Sequence, residues 1–403
     1  MEALLIDWLG LLVRFVHVIA AIAWIGASFY FVWLDNSLTS PPAAKDAQGI
    51  RGDLWAFHGG GIYEVNKYRL APPAMPDTLH WFKWEAYATW ITGALLLMAV
   101  YYLRADLYLI EPGKWLASPA AAIAASVLFL AAGLAVYELL MRRVAEQHPR
   151  RFLALLLGFI ALWCWLSVHL FSDRAAFLHV GAMLATIMAA NVLLGIMPAQ
   201  RGFMRALERG ETPLDAPMQK AKQRSVHNNY FTLPVLLCMI SNHYAFLYSH
   251  PHNWVILIIA LAAVAWGRHF FNLRHRGIVK PQILMGAGAV GAALMAWTLY
   301  PQLAASRAAA AQSVAAPVAA PSARRADQPE FALMQTHCAV CHAAEPTQPG
   351  FAAAPAGLRL DSLAAIDAAS QRSAAAIASG YMPLANLTQL SYEERAQLLQ
   401  WLQ

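Results

Sequence analysis

The sequence predicts an all-α protein, a polytopic membrane bundle of eight transmembrane helices followed by a small helical domain. The chain is 59% hydrophobic and only 13% charged, and its mean hydropathy of +0.44 is far above that of ordinary soluble proteins. Eight apolar runs have about the 20 residues that a helix needs to cross a bilayer core. They cover residues 5–34, 84–103, 119–140, 152–171, 174–197, 230–249, 253–272 and 282–300.

Composition divides the chain into three segments. Residues 1–301 contain the apolar runs and predict the membrane domain. Residues 302–328 are rich in Ala, Pro and Ser, which is typical of a semi-extended linker. Residues 329–403 are polar enough to form a small domain of their own.

Two helices are predicted in the tail. One lies near Phe331 to Thr336. Ser391, followed three residues later by Glu394, predicts a capping box that opens a final helix through Leu402.

Basic residues predict the orientation in the membrane. Connections after odd-numbered runs contain 18 Lys and Arg residues, and those after even-numbered runs contain two. Because short cytoplasmic loops carry the excess of positive charge, odd connections are predicted inside a bacterial inner membrane and both termini on the periplasmic side. The net charge of +6 thus comes from short membrane connections. It argues for the lipid bilayer as a partner and against nucleic acid.

Cys338, Cys341 and His342 form a C-x-x-C-H motif in the tail. The two thiols of this motif add to the vinyl groups of a c-type haem, and the histidine ligates the iron. A zinc site would need a second Cys or His pair at ligand spacing, which the tail lacks. The motif therefore predicts one covalent haem c. In bacteria such haems are attached on the outer face, in agreement with the orientation predicted from charge.

Met382 is predicted to be the second axial ligand of this haem. It follows His342 by about 40 residues in a proline-stiffened loop, as the distal ligand does in class I cytochromes c, and a thioether raises the iron potential. Met334 is the competing residue. It is too close to Cys338 to reach the other haem face, so it is expected to pack in the core.

Four histidines are predicted to share the outer half of the membrane. They are His17, His169, His179 and His243. Imidazoles that face each other from two helices hold b-type haem, and such a haem would shorten the electron path across about 30 Å of hydrocarbon. Arg14 could pair with a propionate of that haem. An ordinary hydrogen-bonded core histidine remains the alternative at each position.

The first connection combines glycines, aromatic rings and charged side chains. Gly59, Gly60 and Gly61 allow a ligand to approach the backbone, but the Gly-Lys-Ser/Thr ending of a phosphate-binding loop is absent. Stacking and cationic groups there would suit a flat anion. The alternative is an aromatic belt at the membrane interface with solvated lysines. The candidate residues are His58, Lys67, His80, Trp81, Lys83, Trp84 and Glu85.

Over essentially its whole length the chain resembles the membrane-bound urate oxidase (urate hydroxylase) family of the PuuD type, which ends in a cytochrome c domain. The residues that carry the resemblance are Arg14 to His17, Trp24 to Gly26, His58 to Gly61, Leu79 to Tyr87 and the C-x-x-C-H motif. The first span is also similar to the haem-binding first helix of HemJ-type protoporphyrinogen oxidases, which supports His17 as a ligand.

This resemblance implies oxidation of urate to 5-hydroxyisourate, with electrons passed to the cytochrome and on to a respiratory acceptor such as a terminal oxidase or a soluble cytochrome. Lys67 or Lys83 would hold the urate anion and Trp81 or Trp84 would stack on it. The proton would go to His58, His80 or Glu85, as general acid–base catalysis requires. His58, His80 and Glu85 are therefore the predicted catalytic residues.

Two other functions remain as alternatives. One is a non-catalytic membrane subunit that anchors a cytochrome c domain for a partner dehydrogenase or for quinol. The other is a transporter, which is weaker because transport does not require a c-type haem. The glycine-rich aromatic and cationic connection favours the enzyme over both.

Overall fold

The computed structural model describes residues 2–111, 113–248, 250–315, 326–348, 351, 354–355, 358–378 and 381–402. The described chain is mostly helical and forms two compact units. The first consists of residues 1–95, 185–233 and 263–288. The second consists of residues 96–184, 234–262 and 289–403.

The long helices follow the predicted apolar runs closely. Seven helices lie in the predicted membrane domain before α12: α1 (Glu2–Ser37), α3 (Trp84–Leu96), α5 (Pro119–Arg143), α6 (Pro149–Leu170), α7 (Asp173–Ala190), α9 (Asp215–Ser241) and α11 (Asn253–His275). Helix α12 (Pro281–Ala315) is the last before the tail. Shorter helices are α2 (Ala43–Asp46), α4 (Ala105–Tyr108), α8 (Met197–Glu208) and α10 (Ala245–Tyr248).

Six helices in the described part of the chain are long and apolar enough to cross a membrane. They correspond to predicted runs one, three, four, five, seven and eight. Run two appears as α3 followed by a π-helical turn, Leu97–Tyr102. Run six is not one continuous helix, since its first part forms the second half of α9, which ends at Ser241, and its last part forms α10. The first half of α9 is polar and begins well before the predicted start at residue 230.

A second π-helical turn, Asn191–Ile196, joins α7 to α8. A π-helical turn contains one residue more than an α-helical turn, and it leaves a backbone carbonyl or a side chain free for other contacts. Asn191 occupies this turn and is fully buried.

The first connection is a β-hairpin, so the purely α-helical fold class is wrong for this segment. Strands β1 (Ile50–His58) and β2 (Gly61–Tyr68) pair antiparallel, with His58 opposite Gly61. Alternating large side chains favour strands, and Gly59 supplies the positive φ of 66° that the two-residue turn requires. The three glycines therefore build a tight turn.

Close helix contacts in the second unit depend on small residues. A Cβ at Gly181 of α7 would lie 2.5 Å from the Cβ of Cys238 on α9. A Cβ at Gly133 of α5 would lie 2.5 Å from Met183 Cγ. Such small residues let helices approach closely where no hydrophobic driving force acts between them. Cys164 and Cys238 are buried free thiols, as expected from their apolar surroundings.

The described residues of the tail form three α-helices around an apolar core. They are α13 (Pro329–Met334), α14 (Leu363–Ala378) and α15 (Tyr392–Leu402). A π-helical turn, Gln335–Ala339, continues α13 into the cysteine motif. The core residues are Met334, Cys338, Leu360, Ile366, Ala369, Ile377, Leu390, Leu398 and Leu402.

The predicted capping box is confirmed at the start of α15. The backbone N–H of Glu394 donates to Ser391 Oγ at 3.2 Å, and the N–H of Ser391 donates to Glu394 Oε2 at 2.8 Å. Helix α12 continues through the alanine-rich first half of the predicted linker, since alanine has the highest helix propensity. Residues 316–325 of that linker lie outside the described residues.

Candidate functional sites

The cysteine motif lies on the turn that follows α13. Cys338 is 9% exposed, Cys341 is half-buried, and both are free thiols. Burial raises the pKa of Cys338 to about 12, with Cys341 adding to the shift. Burial also raises the pKa of Cys341, so both sulfurs are protonated at neutral pH.

The ring of His342 is held by the backbone through one nitrogen. Its Nδ1 donates a 2.9 Å hydrogen bond to the carbonyl of Leu358, and the ring is only 8% exposed. A histidine whose Nδ1–H is held by a carbonyl keeps the lone pair of Nε2 for a metal. The residues present thus fit a haem attached through Cys338 and Cys341. Among the described residues no three His, Cys, Asp or Glu side chains converge as a simple metal-ion site.

The two candidate methionines differ in environment. Met334 is fully buried, with its Sδ 3.7 Å from Cys338 Sγ, so it packs in the core as expected. Met382 is partly exposed, and its carbonyl accepts a 3.0 Å hydrogen bond from Arg395 Nη1. Its N–H donates to the carbonyl of Ala376 at 3.1 Å. The backbone at Met382 is therefore well held, and the axial role stays a prediction.

His17 on α1 has one nitrogen held and one available. Its Nδ1 lies 3.1 Å from the carbonyl of Thr89 and 2.9 Å from Thr92 Oγ1, both on α3. Gly93 lies beside the ring, since a Cβ there would be 3.1 Å from His17 Cε1. This leaves Nε2 for a ligand. Arg14, which lies about one helical turn before His17, is exposed in the described structure.

His179 has partners on both ring nitrogens. Its Nδ1 contacts the carbonyl of Ala175 at 2.7 Å and its Nε2 contacts Ser126 Oγ at 2.7 Å. Phe171 stacks on the ring with a centroid separation of 4.2 Å. Ser126 is in turn bonded to Tyr102 at 2.7 Å. This arrangement favours a structural hydrogen-bonding role over iron ligation.

The remaining outer histidines lie at the surface of the second unit. His243 follows the end of α9 and is exposed, so it is not inside a span. His169 at the end of α6 bonds through Nδ1 to the carbonyl of Trp165 at 2.7 Å. Trp165 and Trp115 pack against its ring at centroid distances of 4.4 and 5.2 Å.

A cavity of about 290 Å³ lies next to His169. Lys114 and Asp173 line it and form an ion pair at 2.5 Å, and Asn253 donates to the same carboxylate at 2.9 Å. Glu111 accepts from the backbone N–H of Asp173. Burial, with repulsion from Asp173, raises the pKa of Glu111 to about 7.

Only some of the residues predicted to bind a flat anion lie close to one another. His58 is exposed at the hairpin turn, and Lys67 is ion-paired with Asp35, which also binds Lys222. At the hairpin base, Lys45 binds Asp53 and Glu64 and thereby lowers the pKa of Asp53.

His80 and Glu85 do come together, with His80 Nε2 3.7 Å from Glu85 Oε1. The second carboxylate oxygen of Glu85 is buried and has no partner among the described residues. Trp81 packs beside a small cluster of Ala86, Val192 and Met197. Lys83 lies 5.9 Å from the ring centroid of Trp84, which is 66% exposed.

One polar cluster was missed from the sequence. It joins Asn229 of α9 to Arg268 and Asn272 of α11. The sequence did contain a signal for this cluster. Arg268 is a charged residue inside an apolar run, and placing a charge within a membrane has a high free-energy cost.

The fold and the motif define a largely helical protein with several helices able to cross a membrane and a tail suited to a covalent haem. The model of the urate oxidase N-terminal family matches residues 3–299, and the chain belongs to this family. Family membership indicates an oxidoreductase that acts on urate. No curated protein matches the chain, and no solved structure matches it.

Proposed function

We propose that the protein is an eight-span urate oxidase of the bacterial inner membrane that converts urate to 5-hydroxyisourate and passes the electrons to its own c-type haem. The family match supports the substrate. The single observation that supports the electron acceptor is the His342–Leu358 hydrogen bond, which prepares Nε2 for iron beside two free thiols. When bound, the haem accepts one electron at a time.

The reaction balances with water as the oxygen source. The urate monoanion and one water give neutral 5-hydroxyisourate, one proton and two electrons. A C–O bond forms at C5 of the purine, and the two electrons leave in separate one-electron steps. The acceptor beyond the tail is a respiratory component such as a terminal oxidase or a soluble cytochrome.

The proton requires an acceptor near the substrate. His80 and Glu85 form the best-supported pair, because they are 3.7 Å apart and one oxygen of Glu85 is buried without a partner. His58 is exposed on the hairpin turn and His80 is 71% exposed as well, so the contact with Glu85 and the buried oxygen of Glu85 are what favour the pair. Lys67 already has Asp35 as a counter-ion.

In the membrane domain we propose at least one b-type haem with His17 as a ligand. The available Nε2 of His17 and the neighbouring Gly93 support it. The topology proposed from charge puts the hairpin inside and the tail in the periplasm, so electrons have to cross the bilayer. A haem held by the protein between the two faces would shorten that path.

The test is anaerobic. Membranes that contain the full-length protein with oxidised haem are mixed with urate, and haem c reduction is followed by its visible spectrum. We expect two haem equivalents reduced for each urate consumed. Absence of reduction by urate, together with reduction by a quinol, would instead indicate the anchoring subunit.

A further inference from the structure

Arg268 is a buried cation that lacks a counter-charge in the described structure. It is 4% exposed and lies seven residues before the end of α11 at His275, about 10 Å along the helix axis. Its guanidinium stacks on the ring of Phe29 from α1, with Cζ 3.8 Å from the ring centroid. Its Nη2 has no hydrogen-bond partner among the described residues. Because burial of an unpaired charge is costly, the site favours an anion that comes from outside the chain.

The amides around Arg268 have defined orientations. Asn229 Oδ1 accepts from Arg268 Nε at 3.2 Å and from Asn272 Nδ2 at 2.8 Å. A guanidinium only donates, so Asn229 must present its oxygen to Arg268 and keep its Nδ2 free. Asn272 must then present its Nδ2 to that oxygen and keep its Oδ1 free. In the described chain neither free atom has a partner, although both are buried.

The free atoms form a specific pattern of donors and acceptors. Arg268 Nη2 is a charged donor, Asn229 Nδ2 is a neutral donor, and Asn272 Oδ1 is an acceptor. An ionised carboxylate has only acceptors and would leave Asn272 Oδ1 unpaired. A planar heterocyclic anion with carbonyl and N–H groups on one edge would satisfy all three atoms.

We propose that Arg268, Asn229 and Asn272 form the recognition site for the anionic edge of a purine, which is the urate of the proposed function on which this inference rests. Phe29 holds the guanidinium plane, so its N–H groups point along a fixed direction. Around Arg268, the side chains of Phe29 and Asn272 are only half-buried. The site lies on helices, which hold side chains in place better than the exposed hairpin does.

Binding of urate is measured on full-length protein whose haem has been reduced with dithionite. Reduced haem cannot accept electrons, so the protein cannot oxidise the bound urate during the measurement. Equilibrium dialysis with radiolabelled urate compares Arg268→Gln with Arg274→Gln. Arg274 is an exposed arginine on the same helix, so its variant removes the same charge. We expect Arg268→Gln to weaken binding about tenfold or more, the usual effect of losing a hydrogen bond to a charged group. Arg274→Gln is expected to bind like the wild type.

A second variant guards against misfolding of Arg268→Gln. Asn272→Ala leaves the hydrogen bond from Arg268 to Asn229 in place and removes only the half-buried amide of Asn272, so the fold is retained while one contact with the ligand is lost. We expect its affinity for urate to fall about threefold to tenfold, the usual effect of losing one neutral hydrogen bond. Wild-type affinity in a folded Asn272→Ala variant would overturn the proposal, and the cavity beside Lys114 would become the candidate.

Measuring the haem content of the variants distinguishes a urate site at Arg268 from a site at which Arg268 binds a haem propionate. Loss of non-covalent haem in Arg268→Gln, with urate binding unchanged, would assign Arg268 to a haem and overturn the inference. The proposed function fails differently. Wild-type protein that binds urate through Arg268 without reducing haem c would refute urate oxidation and leave the recognition site intact.

Discussion

The backbone N–H of Asp173 donates a 2.9 Å hydrogen bond to Glu111 Oε2, which joins the loop before α5 to the first turn of α7. The carboxyl groups of Glu111 and Asp173 are close enough to repel each other, and the positive charge of Lys114 is ion-paired with Asp173. Glu111 therefore changes its protonation state near neutral pH. This contact makes the stability of the region dependent on pH.

Glu111→Gln should remove that dependence. The pKa of Glu111 is 4.5 in the unfolded chain and about 7 in the folded protein. Its contribution to the free energy of unfolding is therefore fully present below pH 4.5 and is lost as the pH rises through 7. Above pH 7 the charged form costs on the order of 1–3 kcal/mol. We expect the variant to melt higher than the wild type at pH 8 and similarly at pH 5. An equal difference at both pH values would contradict this origin.

His17 and His179 should differ in their effect on haem. His17→Ala removes the available Nε2 and should abolish non-covalent haem, whereas His179→Ala should retain it. A pyridine haemochrome spectrum of each full-length variant gives the ratio of haem b to haem c. Retention of haem b in His17→Ala would assign the ligand elsewhere.

Met382→Ala should leave haem c attached, because Cys338 and Cys341 are unchanged. Loss of the thioether is expected to lower the reduction potential and to remove the far-red sulfur-to-iron band. Met334→Leu is the matched control, since Met334 is fully buried in the core. If Met334→Leu removed the band and Met382→Ala kept it, the axial assignment would be reversed.

Glu85→Gln should slow urate-driven haem reduction about a hundredfold or more, as loss of a proton acceptor does. His58→Ala should have little effect, because His58 is exposed on the hairpin turn. Both are measured by stopped-flow in membranes of equal haem content. A normal rate in Glu85→Gln would remove the His80–Glu85 pair from the mechanism.

Hydrophobic run length predicted most helices well because a membrane span has a fixed minimum length. The capping box at Ser391 and Glu394 was also predictable, since both partners are three residues apart. The hairpin was not predicted, because its glycines were interpreted as ligand-binding. Its strand pairing depends on contacts between residues such as Trp55 and Glu64, whose register the turn sets.

Site geometry was predicted less well than helices. Spacing alone identified Cys338, Cys341 and His342, because haem attachment needs neighbouring residues. It did not reveal that Asn229 lies against Arg268, since these side chains are 39 positions apart and meet only when α9 packs on α11. Nor did it show that both nitrogens of His179 are occupied.

The π-helical turn at Asn191–Ile196 affects everything that follows it in the helix. One extra residue rotates the succeeding turns by about 100° relative to an uninterrupted α-helix. Met197 therefore faces the core beside Ala86, where a regular helical wheel drawn from α7 would turn it elsewhere. Deleting one residue from this turn would restore a regular helix and leave Met197 on the same core-facing side, so sequence comparisons across residue 191 need to allow for a one-residue gap.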